Sequence, residues 1–136
     1  DAKAVAVKVV PASAEYVATE NDMDDKDFDV KFYDSEARTA YEVEVSKATG
    51  EVREYKMELK GYEGSPNAVL SVEDVKQIVR KEYPDAAFKA VKLDVDKETG
   101  LKEYDVKFST KAVIGDYDIN PENGQVVEKD IRYIGK

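Results

Sequence analysis

Two nearly identical pentapeptides recur in the two halves of this chain. Phe28–Phe32 reads Phe-Asp-Val-Lys-Phe, and Tyr104–Phe108 reads Tyr-Asp-Val-Lys-Phe. A second matching pair, Glu44–Gly50 and Asp118–Gly124, follows at a slightly smaller offset and ends both times at a glycine. Loops absorb such small insertions at little free-energy cost. Alternating strands can resemble one another by chance, but matching strands followed by matching turns favour an internal duplication.

The second half shows the predicted unit most clearly. Ser71 followed by acidic residues is typical of a helix N-terminus, and Pro84 would end that helix. Residues 91–95 then alternate apolar and charged, which indicates a half-buried strand. Glycine turns at 96–100 and 120–124 separate the strands that follow. This pattern predicts a helix followed by a four-stranded antiparallel meander.

The first half repeats that pattern with an ambiguous opening. Residues 2–10 are rich in valine, which favours a strand, whereas the repeat predicts the surviving end of a helix, and we favour the helix. The predicted fold is therefore α+β, with two tandem repeats that each consist of a helix and a four-stranded antiparallel sheet. The first repeat would span residues 1–61 with a truncated helix, a linker residues 62–70, and the second repeat residues 71–136.

The strands and turns resemble the PepSY domain, a small extracytoplasmic module about one repeat in length. Tyr41–Val45 and Ala48–Val52 match its Tyr-x-Val-x-Val strand and Thr-Gly-x-Val turn, and Tyr104–Phe108 with Asn120–Gly124 match them more loosely. The resemblance covers nearly the whole chain as two copies. A double copy is also similar to the tandem helix-plus-sheet arrangement of the β-lactamase inhibitor proteins, which present one broad sheet face to an enzyme.

The resemblance implies a secreted or membrane-anchored bacterial protein that is not an enzyme. PepSY modules occur in the propeptides of thermolysin-type metallopeptidases, where they are associated with inhibition, and as free-standing secreted proteins. We therefore expect a binding or inhibitory module that acts on an extracellular protein by steric occlusion, with a peptidase as the favoured target. The alternatives are a structural or adhesive cell-envelope module without an enzyme target, and a weak calcium-dependent binder.

Composition excludes several other classes of function. The chain has no His and no Cys, so it cannot use a Ser-His-Asp or Cys-His mechanism, and it lacks the usual ligands for zinc or haem. Its carboxylates alternate with apolar residues and are expected on a solvated face, so we predict no enzyme, no metal site and no cofactor. A net charge of −9 argues against nucleic acid as a partner.

The sequence also bears on where the protein works. No apolar run is long enough to span a membrane, so we expect no transmembrane segment. The sequence begins with Asp1 rather than Met, which would fit a removed leader on an extracellular or envelope-anchored protein.

Two tyrosines are the predicted partner-binding residues. Tyr33 lies out of phase with Phe28, Val30 and Phe32, so it should point outward, and Tyr62 lies at the junction of the two halves. Exposed tyrosine is a common interface anchor because it is large, stiff and able to hydrogen-bond. The alternative is that each tyrosine packs on a neighbouring loop or seals the junction. An open sheet edge, which an extended peptide could join as an added strand, offers a further route to binding.

Two acidic segments raise the possibility of calcium binding. Asn21–Asp27 is densely acidic, and Asp94–Gly100 is distantly similar to the loop of an EF-hand. An EF-hand loop requires glycine at its sixth position and a bidentate glutamate at its twelfth. This chain has Thr99 and Asp105 there. Both segments also fall between a first and a second strand, so solvated hairpin turns are the favoured interpretation.

Overall fold

The computed structural model describes residues 1–135, which form two compact units. The first unit comprises Asp1–Gly61 and the second begins at Tyr62. The first unit contains one helix and four strands, in the order α1 (Ala2–Val7), β1 (Glu15–Glu20), β2 (Asp27–Asp34), β3 (Thr39–Ser46) and β4 (Val52–Leu59). Each of these strands pairs antiparallel with the next.

The core of the first unit follows from the alternation along its strands. Its buried apolar side chains come from one face of β2 and β3 and from α1, and they are Ala6, Val30, Phe32, Val43 and Val45. Alternation places the intervening residues on the opposite face, which we call the outer face of the sheet. The helix over residues 2–10 that the sequence favours is therefore confirmed, although it ends at Val7.

The second unit has a longer helix and four strands. They are α2 (Val72–Glu82), β5 (Ala87–Val95), β6 (Lys102–Ser109), β7 (Val113–Ile119) and β8 (Val126–Tyr133), again antiparallel in succession. The N-terminus of α2 is a capping box: Asp74 N donates to Ser71 Oγ at 3.1 Å, and Ser71 N donates to Asp74 Oδ2 at 2.8 Å. Val75 and Val79 on this helix are fully buried.

The predicted fold class, two tandem helix-plus-four-strand repeats, is wrong. The structure is mostly eight antiparallel strands, and its two small helices hold only 13% of the residues. The physical reason lies in α1, which is six residues long and buries only Ala6. Valine loses side-chain freedom in a helix, and so short a segment gains little from packing. A helix of that size cannot form the helical layer that the prediction required.

Three similar turns determine the strand register. Each closes with a backbone hydrogen bond from a glycine N–H to a carbonyl four residues earlier: Gly50 to Ser46, Gly100 to Asp96, and Gly124 to Asn120. All three glycines have φ between +73° and +80°, a conformation that costs other residues free energy. The turns between β3 and β4, between β5 and β6 and between β7 and β8 are therefore fixed, and the register of each pair decides which of its outer-face side chains meet.

Candidate functional site

A row of three carboxylates crosses the outer face of the second unit. Asp105 on β6 is in register with Asp118 on β7, and Asp118 is in register with Glu128 on β8. Directly opposed residues on neighbouring strands have their Cβ atoms about 4.5–5.5 Å apart, so like charges there repel. Carboxylate oxygens of Asp105, Asp116 and Asp118 all lie within 4.8 Å of one another. We call Asp105, Asp118 and Glu128 the second carboxylate row.

This crowding changes the acidity of the row. Burial, followed by the charges of Glu103, Glu128, Asp105 and Asp116, raises the pKa of Asp118 to about 7. Burial and the neighbouring carboxyl of Asp116 also raise the pKa of Asp105. The Oδ1 atom of Asp105 is enclosed and has no hydrogen-bond partner among the described residues. Like charges held this close disfavour simultaneous ionisation, so carboxyl groups in the row keep their protons to higher pH than isolated ones.

One lysine partly offsets the negative charge of the second row. Lys107 Nζ donates to Asp116 Oδ2 at 2.7 Å and lies 3.5 Å from Asp105 Oδ2. The hydrogen bond to Asp116 raises the pKa of Lys107, so this lysine stays charged. Its side chain is half exposed, which weakens its attraction for the carboxylates through solvent screening.

The first unit carries a corresponding row of carboxylates, whose negative charge is offset more strongly by a lysine. Asp29 on β2 is in register with Glu44 on β3, which is in register with Glu54 on β4. Lys56 Nζ lies 3.5 Å from a Glu44 oxygen and 3.8 Å from a Glu54 oxygen, and it also lies 3.8 Å from Glu42. Burial and the charge of Glu44 raise the pKa of Asp29. We call Asp29, Glu44 and Glu54 the first carboxylate row.

One position accounts for the contrast between the rows. In the first unit, Lys56 is in register with Glu42. In the second unit, the residue in register with Asp116 is Asp130, a negative charge where the first unit has a positive one. The second row therefore has an additional carboxylate beside it instead of an ammonium group.

These clusters do not by themselves form a metal centre. Three carboxylates also gather within 4.8 Å in the first unit, at Asp29, Glu42 and Glu44. Acidic groups that are partly exposed often come this close without an ion. Strand pairing explains both clusters, so we assign no metal ligands.

The two acidic turns use their carboxylates locally. Asp96 Oδ1 accepts hydrogen bonds from Glu98 N at 2.8 Å and Thr99 N at 3.0 Å, and these bonds lower the pKa of Asp96. In the other segment, Asp22 Oδ1 accepts from Asp24 N at 3.1 Å. These are the contacts of ordinary turns in which an aspartate caps its own backbone.

Tyr33 lies on the outer face of the first unit. It alternates with Phe32, whose side chain is in the core, and so shares a face with Asp29 and Lys31. Its side chain is half-buried rather than fully exposed. The outward direction follows the expected alternation, and Tyr33 as a partner-binding residue stays a prediction.

Tyr62 lies in a polar network at the start of the second unit. Its hydroxyl is 2.9 Å from Ser65 Oγ, and Ser65 Oγ donates to Asn120 Oδ1 at 2.8 Å. Burial raises the pKa of Tyr62, and the carboxylates of Glu103 and Asp118 are close enough to raise it further. Tyr62 is therefore an electrostatic neighbour of the second row. Its role in partner binding stays a prediction.

Sequence reasoning missed the carboxylate rows because it treated each strand alone. Asp29, Glu44, Asp105 and Asp118 all appeared in the matched segments, but only as polar members of an alternation. Once each glycine turn is aligned, the residues opposite one another across the hairpin can be counted. Such a count reaches only the Glu44–Glu54 and Asp118–Glu128 pairs, because Asp29–Glu44 and Asp105–Asp118 lie across turns that contain no glycine.

The comparisons with known proteins point to the second unit. Residues 69–130 match the PepSY family, described as the peptidase propeptide and YPEB domain. The PepSY match begins just before α2 and ends within β8, so it contains the whole second carboxylate row and covers less than half of the chain. The predicted resemblance is confirmed for this segment. A PepSY copy in the first half and the similarity to β-lactamase inhibitor proteins stay predictions.

Other comparisons add little. No curated protein matches the chain. A solved structure that resembles it is a "putative lipoprotein" from Clostridium difficile 630, which is 18% identical, with 88% of this chain and 84% of that chain covered and a TM-score of 0.41. At that score the likeness supports no inference about fold or function. No helix among residues 1–135 is long and apolar enough to cross a membrane.

Proposed function

We propose that this chain is a non-catalytic module that binds an extracellular or cell-envelope peptidase and restrains it by covering its substrate-binding surface. The observation that carries this proposal is the PepSY match over residues 69–130, because the family is described by its occurrence in peptidase propeptides. Family membership alone is a weak guide to function, so the proposal also needs a surface through which binding could occur.

The outer face of each unit offers such a surface. Each combines half-buried carboxylates with a few lysines, that of the first unit also carries Tyr33, and the chain as a whole carries a net charge of −9. A face of this kind favours a partner with a basic surface, because complementary charge speeds association and selects the orientation. Tyr33 would supply the apolar contact area that charges lack. Tyr62, beside the second row, is the second proposed contact.

The chemistry of the chain supports binding rather than catalysis. Without His or Cys, it lacks the common nucleophile-activating groups. The carboxylates of both rows lie on sheet surfaces, where their neighbours are other carboxylates and lysines. A location outside the cytoplasm accompanies the proposal, because the resemblance to the PepSY domain implies one.

Inhibition of a purified enzyme tests the proposal. A thermolysin-type metallopeptidase would be titrated with the intact chain, and hydrolysis of a peptide substrate would be followed. We expect activity to fall with near-equal stoichiometry. Tyr33→Ala should weaken the inhibition about tenfold or more, as hot-spot tyrosines do. Tyr16→Ala serves as the matched control, because Tyr16 packs edge-on against Phe32 and so belongs to the opposite face of the same sheet.

Other results would favour the alternatives. If several peptidases are unaffected and the chain instead sediments with cell envelopes, the structural or adhesive function replaces the inhibitory one. If added calcium at millimolar concentration raises the melting temperature, the calcium-dependent alternative gains support, since a ligand selective for the folded state stabilises it. Equal inhibition by Tyr33→Ala and the unmodified chain would contradict the proposed contact at Tyr33.

A further inference from the structure

The second carboxylate row is placed so that its members cannot all be ionised at low cost. Asp105, Asp118 and Glu128 are successive register partners on three neighbouring strands. The turn closed by the Thr110 N to Val113 O hydrogen bond joins β6 to β7, and the turn that closes on Gly124 joins β7 to β8, so the carboxylates cannot separate without disturbing the sheet. In the unfolded chain nothing holds these groups together. Folding therefore changes the proton affinity of the row.

The groups that surround Asp118 are mostly acidic. Strand β6 contributes Glu103, Asp105 and Lys107 to the same face, and β7 itself contributes Asp116. Strand β8 contributes Glu128 and Asp130, and Tyr62 approaches from the segment before α2. On β5, Lys92 is in register with Asp105, and Asp94 is in register with Glu103. Lys107 bonds Asp116 rather than Asp118, and Lys92 is exposed, so neither lysine offsets the charge at Asp118.

In the first unit, a lysine offsets the negative charge of the corresponding carboxylate row. There Lys56 approaches Glu42, Glu44 and Glu54 to within 3.8 Å. The second unit has Asp130 at the corresponding register position. The first row thus has a lysine beside it where the second row has an aspartate. We therefore expect the second row, rather than the first, to retain a proton.

We propose that the second carboxylate row is a proton-binding site that keeps a proton in the folded second unit where the unfolded chain has lost it, so that this unit is more stable in mild acid than in mild alkali. The inference goes beyond the proposed function and needs no partner. It places pH sensitivity in the same unit that holds the PepSY match.

The direction follows from linkage. Burial and the neighbouring carboxylates raise the pKa of Asp118 from 3.8 to about 7 in the folded state. The stabilisation is fully present below pH 3.8 and declines as the pH rises, until it is lost above about pH 7. One retained proton makes the unfolding equilibrium constant rise by up to about tenfold per pH unit inside that window.

Two measurements on the intact chain test the inference. Carbon-detected NMR would follow the Asp118 carboxyl carbon across the pH range, with an expected midpoint near neutrality. Urea unfolding at pH 5.5 and pH 8.0 would give the pH dependence of stability. Asp118→Asn removes the titrating group while keeping its shape, so it should remove most of the difference between the two pH values. Glu44→Gln in the first unit is the matched control and should leave that difference in place.

A second variant keeps the test decisive if Asp118→Asn fails to fold. Asp130→Lys places at an exposed position of β8 the charge that Lys56 supplies in the first unit. It should move the Asp118 midpoint toward acid and flatten the pH dependence. The inference is overturned if the Asp118 carboxyl of the unmodified chain titrates below pH 5, or if stability is as high at pH 8.0 as at pH 5.5.

Discussion

Gly115 faces the ring of Phe108 across the β6–β7 pair, and the two residues are in register. A Cβ atom added at Gly115 would lie 2.2 Å from Phe108 Cζ, well inside the contact distance of two carbons. Phe108 is fully buried and is held from other sides by the rings of Tyr83, Phe88 and Tyr117. Here glycine is required by packing, because a side chain would displace the aromatic cluster.

Gly115→Ala should therefore destabilise the second unit by about 1–3 kcal/mol or more, the range for overpacked cores. Urea unfolding followed by tyrosine fluorescence measures the loss. Gly100→Ala is the contrasting variant: nothing lies within 4 Å of a Cβ there, and its cost of about 1–2 kcal/mol comes only from the left-handed backbone. Phe108→Leu combined with Gly115→Ala should recover part of the stability. If it recovers none, the clash is not the cause.

Tyr117→Phe should cost about 1.5–3 kcal/mol, as expected for a hydrogen bond to a charged group. The buried hydroxyl of Tyr117 donates to Glu82 Oε1 at 2.5 Å and so ties β7 to the last turn of α2. Lys129 approaches the same carboxylate at 3.3 Å but is more exposed to solvent screening. Thermal unfolding of Tyr117→Phe and Lys129→Met should show the larger loss for Tyr117→Phe. The opposite ranking would contradict this assignment.

Ser71→Ala should destabilise α2 by about 1 kcal/mol. The Ser71 hydroxyl accepts the N–H of Asp74, and removing it leaves that donor without its cap. Ser71→Asp is the matched variant, because aspartate is an equally good N-cap and also suits the positive end of the helix. It should unfold at nearly the same urea concentration as the unmodified chain. Equal losses for both variants would argue against the capping role.

Acid should weaken the first unit through Asp34. The Ser13 hydroxyl donates to Asp34 Oδ2 at 2.6 Å and Ala37 N donates to Asp34 Oδ1 at 3.1 Å, and these bonds lower the pKa of Asp34. A lowered carboxyl pKa stabilises the fold above the unfolded value of 3.8, and this contribution is lost as the pH falls further. Ser13→Ala should bring the Asp34 carboxyl midpoint, followed by NMR, closer to 3.8. An unchanged midpoint would remove Ser13 from the explanation.

Asp34 and Asp118 affect the stability of the protein in different pH ranges. The stabilisation by Asp34 is lost as the pH falls below 3.8, whereas the stabilisation by Asp118 is lost as the pH rises from 3.8 to about 7. Measurements from pH 5.5 upward therefore report the second carboxylate row without interference from Asp34. Measurements below pH 4 report Asp34 most directly. Because Asp34 lowers the stability as the pH falls and Asp118 lowers it as the pH rises, we predict that the protein is most stable in mild acid.

Local elements were the most predictable part of this protein. The capping box at Ser71, the end of α2 before Pro84 and the glycine turns at 50, 100 and 124 all depend on residues within a few positions of one another. The alternation that separates Val106 and Phe108 from Asp105 and Lys107 is likewise a local property of one strand. Sequence was enough for these, because short-range sterics and capping decide them.

The fold class and the carboxylate rows were harder to predict from the sequence. The predicted fold class of two helix-plus-four-strand repeats was wrong, because α1 is only six residues long and buries only Ala6. The rows depend on which residue of one strand lies opposite which residue of the next. Register shifts of one residue at Glu44/Val45 and Asp118/Ile119 alter that pairing in ways that no single segment reveals.

The sequence by itself determined the strand alternation, the turns, the helix cap, the acidic charge and the absence of histidine and cysteine chemistry. Tertiary structure alone decided that Asp118 stands between Asp105 and Glu128, and that Asp130 occupies the register position where the first unit has Lys56. The physical reason is that Coulomb repulsion and desolvation depend on distance through space. Two carboxylates far apart along the chain influence each other only after strand pairing has brought them together.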